Sequence, residues 1–372
     1  MMKRVGIVSY NIYCNFTNYG SALQTYALHH AIDRIAPEVV QSVVMDYCPD
    51  ILKDKDVLDP MRNMWDKDSE ARRMCELSLP AIRVNYEKFK RFYKEQYRLS
   101  EGQYTSENFD DSYEKEQLNG YVCGSDTVFC IDEFGFDDGY YANYPVMKNH
   151  CSFAYAASFG DSHFDAASYE TLNARLQNFK AIALREKGMV PYVKEHTQIP
   201  VTKVIDPTLL LKAEDYAPIV AEPQSDEKYV LLYARRYNPK MQAFAEKMAA
   251  EHGWKVIEIS LRATNAERHR MFYEAGVEEF LSLVQHAEYV ITNSFHGMIF
   301  AVQFRRPFYI FSREQCDTKI VELLELFGLT NRLYVTGEEA PAAEIDYVKV
   351  HERIAEAREK SLDFLRQELA LL

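Results

Sequence analysis

Tyr289-Val290-Ile291-Thr292-Asn293-Ser294-Phe295-His296-Gly297-Met298-Ile299-Phe300-Ala301 is a short buried-type strand, a Ser/His/Gly turn and the start of an apolar helix. That succession is the unit from which open α/β sheets are built, and ligands gather beyond the carboxyl ends of such strands. His296 then falls in the first turn of the helix, where unpaired N–H groups and the positive end of the helix dipole favour an anion. Taken alone, the segment fits a hydrogen-bonded structural histidine equally well.

The same unit recurs in both directions. Upstream, Val5–Tyr10 leads through a polar loop into a helix with Leu23, Ala27, Leu28 and Ala31 at helical spacing. Val39–Tyr47, Gly120–Phe129, Cys151–Gly160, Ile182–Glu186 and Val201–Thr208 read as further strands with their loops. A charged stretch from Met61 to Gln96 reads as a solvated helical excursion. Around Lys212–Lys228 the pattern breaks at Pro218 and Pro223, which marks a linker. A second set follows: strands Tyr229–Ala234, Trp254–Ile259, Tyr289–Thr292 and Phe308–Phe311, with a helix at Glu278–His286. Ile354, Ala357, Ser361, Leu365 and Leu369 then predict a long amphipathic closing helix. The chain of 372 residues exceeds what one core usually organises. We therefore expect an α/β protein with two domains and a cleft, divided as 1–215, 216–335 and a closing element 336–372.

Composition narrows the function. A net charge of −13 argues against a general nucleic-acid binder, although arginines focused in a cleft still suit a small anion. The 26 tyrosines and 21 phenylalanines suit sugar stacking as well as packing. No apolar run is long enough to span a membrane and the N-terminus does not read as a signal peptide, so a cytoplasmic location is expected. Seven cysteines without a C-x-x-C pair point to reduced thiols, with neither a disulfide framework nor a metal site. Walker A, G-x-G-x-x-G, H-E-x-x-H and G-x-S-x-G motifs are all absent.

The polar turns supply the site candidates. Asn18-Tyr19-Gly20-Ser21, Ser125-Asp126, Ser158, Arg185, Arg235-Arg236, Ser294 to Gly297, Arg313 and Lys319 all stand at strand or helix ends. Arginine's fork matches carboxylate and phosphate oxygens, so Arg185, Arg235 and Arg236 suit a doubly anionic ligand. Arg185 with Glu186 also reads as a surface ion pair, and Asp126 as a helix cap or as a general base.

Together these pieces resemble the polysaccharide pyruvyl transferase family. The matching segments are Asn18–Leu28, Gly124–Phe129, Ala183–Lys187, Ile205–Leu210 and Thr292–Gly297, in the family's order. The resemblance implies two Rossmann-like domains facing a cleft, of glycosyltransferase-B type, with the closing helix returning to the first domain. It implies transfer of the carboxyvinyl unit of phosphoenolpyruvate to a sugar hydroxyl pair, giving a pyruvate ketal in a cell-surface polysaccharide. Phosphoenolpyruvate would be a co-substrate, with no metal or organic cofactor. The acceptor would be a sugar or lipid-linked oligosaccharide on the N-terminal side, with peripheral association with the assembly machinery. By the same resemblance His296 is an acid/base or donor-phosphate residue, Asp126 an acidic partner, and Arg185 a donor-binding residue. Arg235, Arg236, Ser294, Gly297 and Lys319 complete the expected donor side, and Asn18, Tyr19 and Ser21 the acceptor side. One departure stands out: Ser294 occupies the position where well-studied members carry arginine.

Two other functions compete. A glycosyltransferase using a nucleotide-sugar donor would want a carboxylate for the ribose, for which Glu278 and Glu279 are the candidates. A non-catalytic glycan-binding scaffold would bind without consuming a donor.

Overall fold

The structure is a computed structural model and describes residues 2–60, 69–312, 317–334 and 344–372. Arg313, Cys316 and the start of the excursion at Met61 lie outside the described residues.

The first sheet contains β1 (Lys3–Val8), β2 (Val40–Tyr47), β3 (Leu99–Tyr104), β4 (Gly120–Cys123), β5 (Cys151–Ala157), β6 (Ala181–Leu184) and β7 (Val201–Lys203). They lie in the order β3-β2-β1-β4-β5-β6-β7 and pair in parallel throughout. The second contains β8 (Tyr229–Tyr233), β9 (Lys255–Ile259), β10 (Arg270–Met271), β11 (Tyr289–Thr292), β12 (Phe308–Phe311) and β13 (Leu333–Tyr334). Its order is β10-β9-β8-β11-β12-β13, again parallel. Central strands such as β8 and β12 are buried along their whole length. Helices cover both faces of such a sheet, hence their unbroken apolar runs.

Each sheet reverses its order once, between β1 and β4 and between β8 and β11. Connections leave in opposite directions there, which opens a crevice at the strands' carboxyl ends. The loops at these four strand ends carry Asn18 to Ser21, Ser125-Asp126, Arg235-Arg236 and Ser294 to His296. Most of the candidates named from sequence thus sit at the two switch points.

Helices of the first half reach into the second. α1 (Tyr19–Ile35) is capped by Asn18, whose side chain accepts from the Gly20 and Ser21 amides. Tyr19 stacks on Phe280 of the second half at 4.6 Å, and its hydroxyl donates to Ala275 O at 2.7 Å. α2 (Ser69–Gln96) corrects the reading of a solvated excursion. Its charged face does meet water, but Phe89 and Phe92 are fully buried, and it is strapped to the second half. Lys88 pairs with Glu279 at 2.6 Å, Ser78 Oγ donates to Leu261 O at 2.7 Å, and Asn85 Nδ2 donates to Ala275 O.

The helix Tyr347–Ala370 starts against the second half, where Arg353 Nη1 donates to Phe327 O at 2.9 Å, and its later turns close on the first. Arg358 Nε donates to Leu209 O at 2.7 Å, the Ile205 amide donates to Ser361 Oγ at 3.1 Å, and Phe364 meets Phe153 edge-on. One hydrophobic cluster runs from Val5 and Ile7 of β1 through Leu23 of α1 to Phe280 and Ile299 of the second half. Among the described residues no helix is long and apolar enough to cross a membrane. The six described cysteines form no disulfide with one another.

Candidate active site

His296 stands in the first turn of the helix Phe295–Gln303. Thr292 Oγ1, which donates to Tyr233 O at 2.7 Å, accepts from the Ser294 amide at 3.0 Å and fixes the turn. Ser294 Oγ then accepts from the Gly297 amide at 3.2 Å, so Ser294 is the helix cap. Gly297 lets this helix sit against β8 and β11: a Cβ there would stand 2.7 Å from Thr292 Oγ1 and 2.9 Å from Tyr233 Cδ1. Both residues, expected on the donor, build the turn that presents the histidine. The reason is geometric, because the cap hydroxyl points back along its own helix.

The His296 ring is held on two edges. Its Nε2 lies 3.5 Å from Asp206 Oδ2, a charge contact longer than a good hydrogen bond, and has no hydrogen-bond partner. The other edge abuts α1, where a Cβ on Gly20 would stand 2.0 Å from His296 Nδ1. The ring therefore fills the space that a side chain at position 20 would occupy. Gly20→Ala is expected to displace the imidazole, at a cost of roughly 1–3 kcal/mol in stability. A shift of about 1 Å at a reacting group costs on the order of a hundredfold in rate. Thermal unfolding together with turnover of the variant checks this; an unchanged rate would show that the ring's position is immaterial.

Asp206 is the residue that the sequence reading missed. Fully buried, its Oδ1 accepts from the Thr208 amide at 3.0 Å and from Thr208 Oγ1 at 2.6 Å, and its Oδ2 accepts from Arg185 Nη1 at 3.0 Å. Burial raises its pKa, but His296, Arg185 and Thr208 outweigh burial and hold the carboxyl well below the usual aspartate value. Asp206-Pro207-Thr208, read from sequence only as the end of a strand and its loop, is a capped turn. Only the second carboxylate oxygen faces His296.

Arg185 leaves β6 with its side chain only 4% exposed, which corrects the surface ion pair. Nε donates to Glu186 Oε1 at 2.9 Å, Nη1 is spent on Asp206, and the guanidinium lies over the Phe295 ring. Burial opposes its charge, but Glu186, Asp206 and Asp126 hold its pKa well above the usual range. Arg185 therefore keeps Asp206 ionised, with Nε and Nη1 of its fork taken by protein carboxylates.

Asp126 accepts from Ser21 Oγ at 2.7 Å and from the Thr127 amide at 2.9 Å, on a left-handed backbone with φ 74°. It caps its own turn and no helix. Ser21 is fully buried and reaches the cleft only through this carboxylate. The Asn18 side-chain oxygen is spent on its cap and the Tyr19 hydroxyl on Ala275 O, while the Tyr19 ring lines a pocket. Ser158 accepts from the Gly160 amide in its own turn.

Arg235 and Arg236 are positioned by Asn293, a second missed residue. Its Oδ1 accepts from the Arg235 amide at 2.8 Å and its Nδ2 donates to Arg236 O at 2.9 Å. Asn293 thereby locks the loop after β8 to the His296 turn. Arg235 is half-buried over the Phe16 ring, whereas Arg236 is exposed.

Two pockets adjoin the His296 turn. One is lined by Arg185, Glu186, Lys203, Asp206, Lys319 and Glu322, with Phe295 beside them. Three cations there face three carboxylates, and Lys203 already meets Glu322 at 3.7 Å. The other lies between Phe16 and Tyr19 of the first half and Tyr233, Arg235, Arg262 and Tyr273 of the second. Asp206 and Arg185 belong to the first pocket and Tyr19, next to Gly20, to the second. His296 lines neither pocket but adjoins both: Asp206 of the first lies 3.5 Å from its Nε2, and Gly20, next to Tyr19 of the second, abuts its ring. Glu278 and Glu279, the ribose candidates, start the helix Val277–Gln285, and Glu279 is taken by Lys88 and the Gly276 amide. Among the described residues no group of three or more His, Cys, Asp or Glu could hold a metal ion.

Comparison with known proteins bears on this geometry. A solved structure from Listeria monocytogenes assigned as a UDP-N-acetylglucosamine 2-epimerase superposes with a TM-score of 0.51 at 11% identity, covering 98% of this chain and 90% of its own. The S. aureus MnaA–UDP co-structure gives a TM-score of 0.50 at 13% identity, covering 99% and 91%. These likenesses are of fold, and they place the two Rossmann-like domains and their cleft in the glycosyltransferase-B-type architecture. No curated protein matches significantly in sequence. The family model described as "Polysaccharide pyruvyl transferase" matches residues 18–315, a span that begins at the Asn18 cap and takes in Asp126, Arg185, Asp206 and His296. The chain belongs to the polysaccharide pyruvyl transferase family.

Proposed function

We propose that the protein transfers the carboxyvinyl unit of phosphoenolpyruvate to two hydroxyls of a sugar, forming a pyruvate ketal during cell-surface polysaccharide synthesis. The observation that carries this reading is the setting of His296, between an ionised Asp206 and the Gly20 backbone beside two pockets. With the Asp206 carboxylate 3.5 Å from its Nε2, His296 is the group that delivers a proton to the methylene carbon of the donor. That step makes C2 electrophilic. A sugar hydroxyl attacks C2 while Asp126 takes its proton, and the neighbouring hydroxyl closes the ring. One C–H and two C–O bonds form, and the bond from C2 to the phosphate oxygen breaks. Of the two hydroxyl protons released, one replaces the proton given to carbon and the other leaves with inorganic phosphate. The donor's anionic groups lie against the N-terminal amides of the His296 helix and Lys319. No cofactor beyond the co-substrate is invoked, and the donor's availability puts the reaction in the cytoplasm, with peripheral contact to the assembly machinery.

Isothermal titration with phosphoenolpyruvate tests the reading, followed by assay of acceptor-dependent phosphate release. Saturable binding that His296→Ala weakens is expected. Failure to bind phosphoenolpyruvate, together with stabilisation by a nucleotide sugar that is consumed, would replace it with glycosyl transfer.

A further inference from the structure

Gln303 is the polar exception in the helix that carries His296. The run from Met298 to Val302 is apolar and buried, and Gln303 follows it with 3% of its surface exposed. Its Nε2 donates to Thr208 O at 3.0 Å and to Leu211 O at 2.9 Å. Both carbonyls belong to the first half, in and just after the turn that Asp206 caps. Seven residues, two helical turns, separate His296 from Gln303, so the two side chains leave the same face roughly 10 Å apart. One end of that face meets the Asp206 carboxylate, with 3.5 Å between His296 Nε2 and Oδ2, and the other end grips the backbone beyond it.

The two hydrogen bonds do more than satisfy the carbonyls. Thr208 O also accepts from the Tyr216 hydroxyl at 2.9 Å, and Leu211 O from Arg358 Nη2 at 3.2 Å. Neither of those donors belongs to the His296 helix, so what Gln303 adds is a fastening between that helix and the turn. The polar ties between the halves described above run to Leu261, Ala275 and Glu279, none of which lies on this helix. The closing helix completes the frame, because His351 Nε2 donates to Val302 O at 3.0 Å while Arg358 holds Leu209 O and Leu211 O. A glutamine amide in an apolar seam fixes register, since sliding the helix would strand a buried polar group.

We infer that Gln303 is a positioning residue: it sets the register of the His296 helix against the Asp206 turn, and so holds imidazole and carboxylate, contributed by opposite halves, in one fixed relation. The register rests on the structure alone; its effect on turnover rests on the transfer reading above.

The test is Gln303→Met, close in length and volume and without donors. The variant should fold, because each carbonyl keeps its other donor. The first readout needs no substrate: the rate at which diethyl pyrocarbonate acylates His296 in the full chain, followed by peptide mass spectrometry. Loss of two hydrogen bonds should raise the population with the ring displaced, and the labelling rate with it, roughly tenfold. His269, in the second half with its side chain 1% exposed, is the internal control and should label no faster than in the parent. The second readout is phosphoenolpyruvate-dependent turnover, where kcat is expected to fall roughly tenfold or more while KM for the donor stays within about threefold. Placed on His296→Ala, Gln303→Met should cost less than about a further threefold, because Gln303 acts through the ring. Gln303→Asn, one methylene short of the same reach, should label as Gln303→Met does. Unchanged His296 labelling in both variants overturns the inference, and so does His269 labelling that rises in step, or an undiminished loss of turnover on the His296→Ala background. A parent that turns over no phosphoenolpyruvate ends the transfer reading and leaves the labelling to decide the register.

Discussion

His296→Ala should lower phosphoenolpyruvate-dependent turnover by roughly 10²–10⁴-fold, the usual loss on removing one positioned acid/base group. Folding should survive, because Asp206 keeps Arg185 at 3.0 Å and both Thr208 hydrogen bonds when the imidazole is gone. The measurement is phosphate release under saturating donor, beside circular dichroism melts of parent and variant. His296→Gln separates two roles, since it fills the space beside Gly20 and offers polar atoms without an exchangeable ring proton. A Gln variant as slow as Ala assigns proton transfer to the ring. Recovery to within about threefold of the parent would make His296 a space-filling hydrogen-bonding residue and end the acid role.

Arg185→Ala should cost about 3–5 kcal/mol of stability, the range for breaking a buried ion pair by removing one partner. Two carboxylates lose their cation, Glu186 at 2.9 Å and fully buried Asp206 at 3.0 Å. Against a total of roughly 5–15 kcal/mol for a folded domain, this is large enough to read as a shifted denaturant midpoint. Arg185→Ala combined with Asp206→Ala should recover part of the loss, because the double variant buries one charge fewer. A ligand-holding arginine would behave in the opposite way, with a stable variant and weakened donor affinity. Acid titration gives an independent readout. The carboxyl of Asp206 is held below its ordinary value of 3.8, so its contribution is complete above that pH and is lost as the pH falls through the depressed value. Removing Arg185 lessens the depression, so the variant should acid-unfold at higher pH than the parent.

Sequence carried the architecture because the central strands are covered on both faces and read as unbroken apolar runs; β11 and β12 were bounded at Tyr289–Thr292 and Phe308–Phe311 as found. The edges were less visible. Strand β3 reads Leu-Ser-Glu-Gly-Gln-Tyr, and β10 and β13 are two residues each, too short for any periodicity. In the site, residue type located the loops but could not say which way each side chain turned. Ser294, Asn18 and Asp126 all satisfy nearby amides, as short polar side chains at turns commonly do. Arg185 looked exposed beside Glu186 because its second partner, Asp206, is distant in sequence. Asp206 itself was hidden by the Pro207 turn that it caps.

The apolar cluster that passes from β1 through α1 to Phe280 and Ile299, with α2 strapped across and the closing helix turned back, changes what the linker at Lys212–Lys228 means. It is a border in the order of residues and not in the material. A chimera spliced at that point, to pair one relative's N-terminal half with another's C-terminal half, would ask two unrelated surfaces to mesh across a shared core. Specificity in this architecture is therefore more readily exchanged loop by loop around the cleft than by trading whole halves.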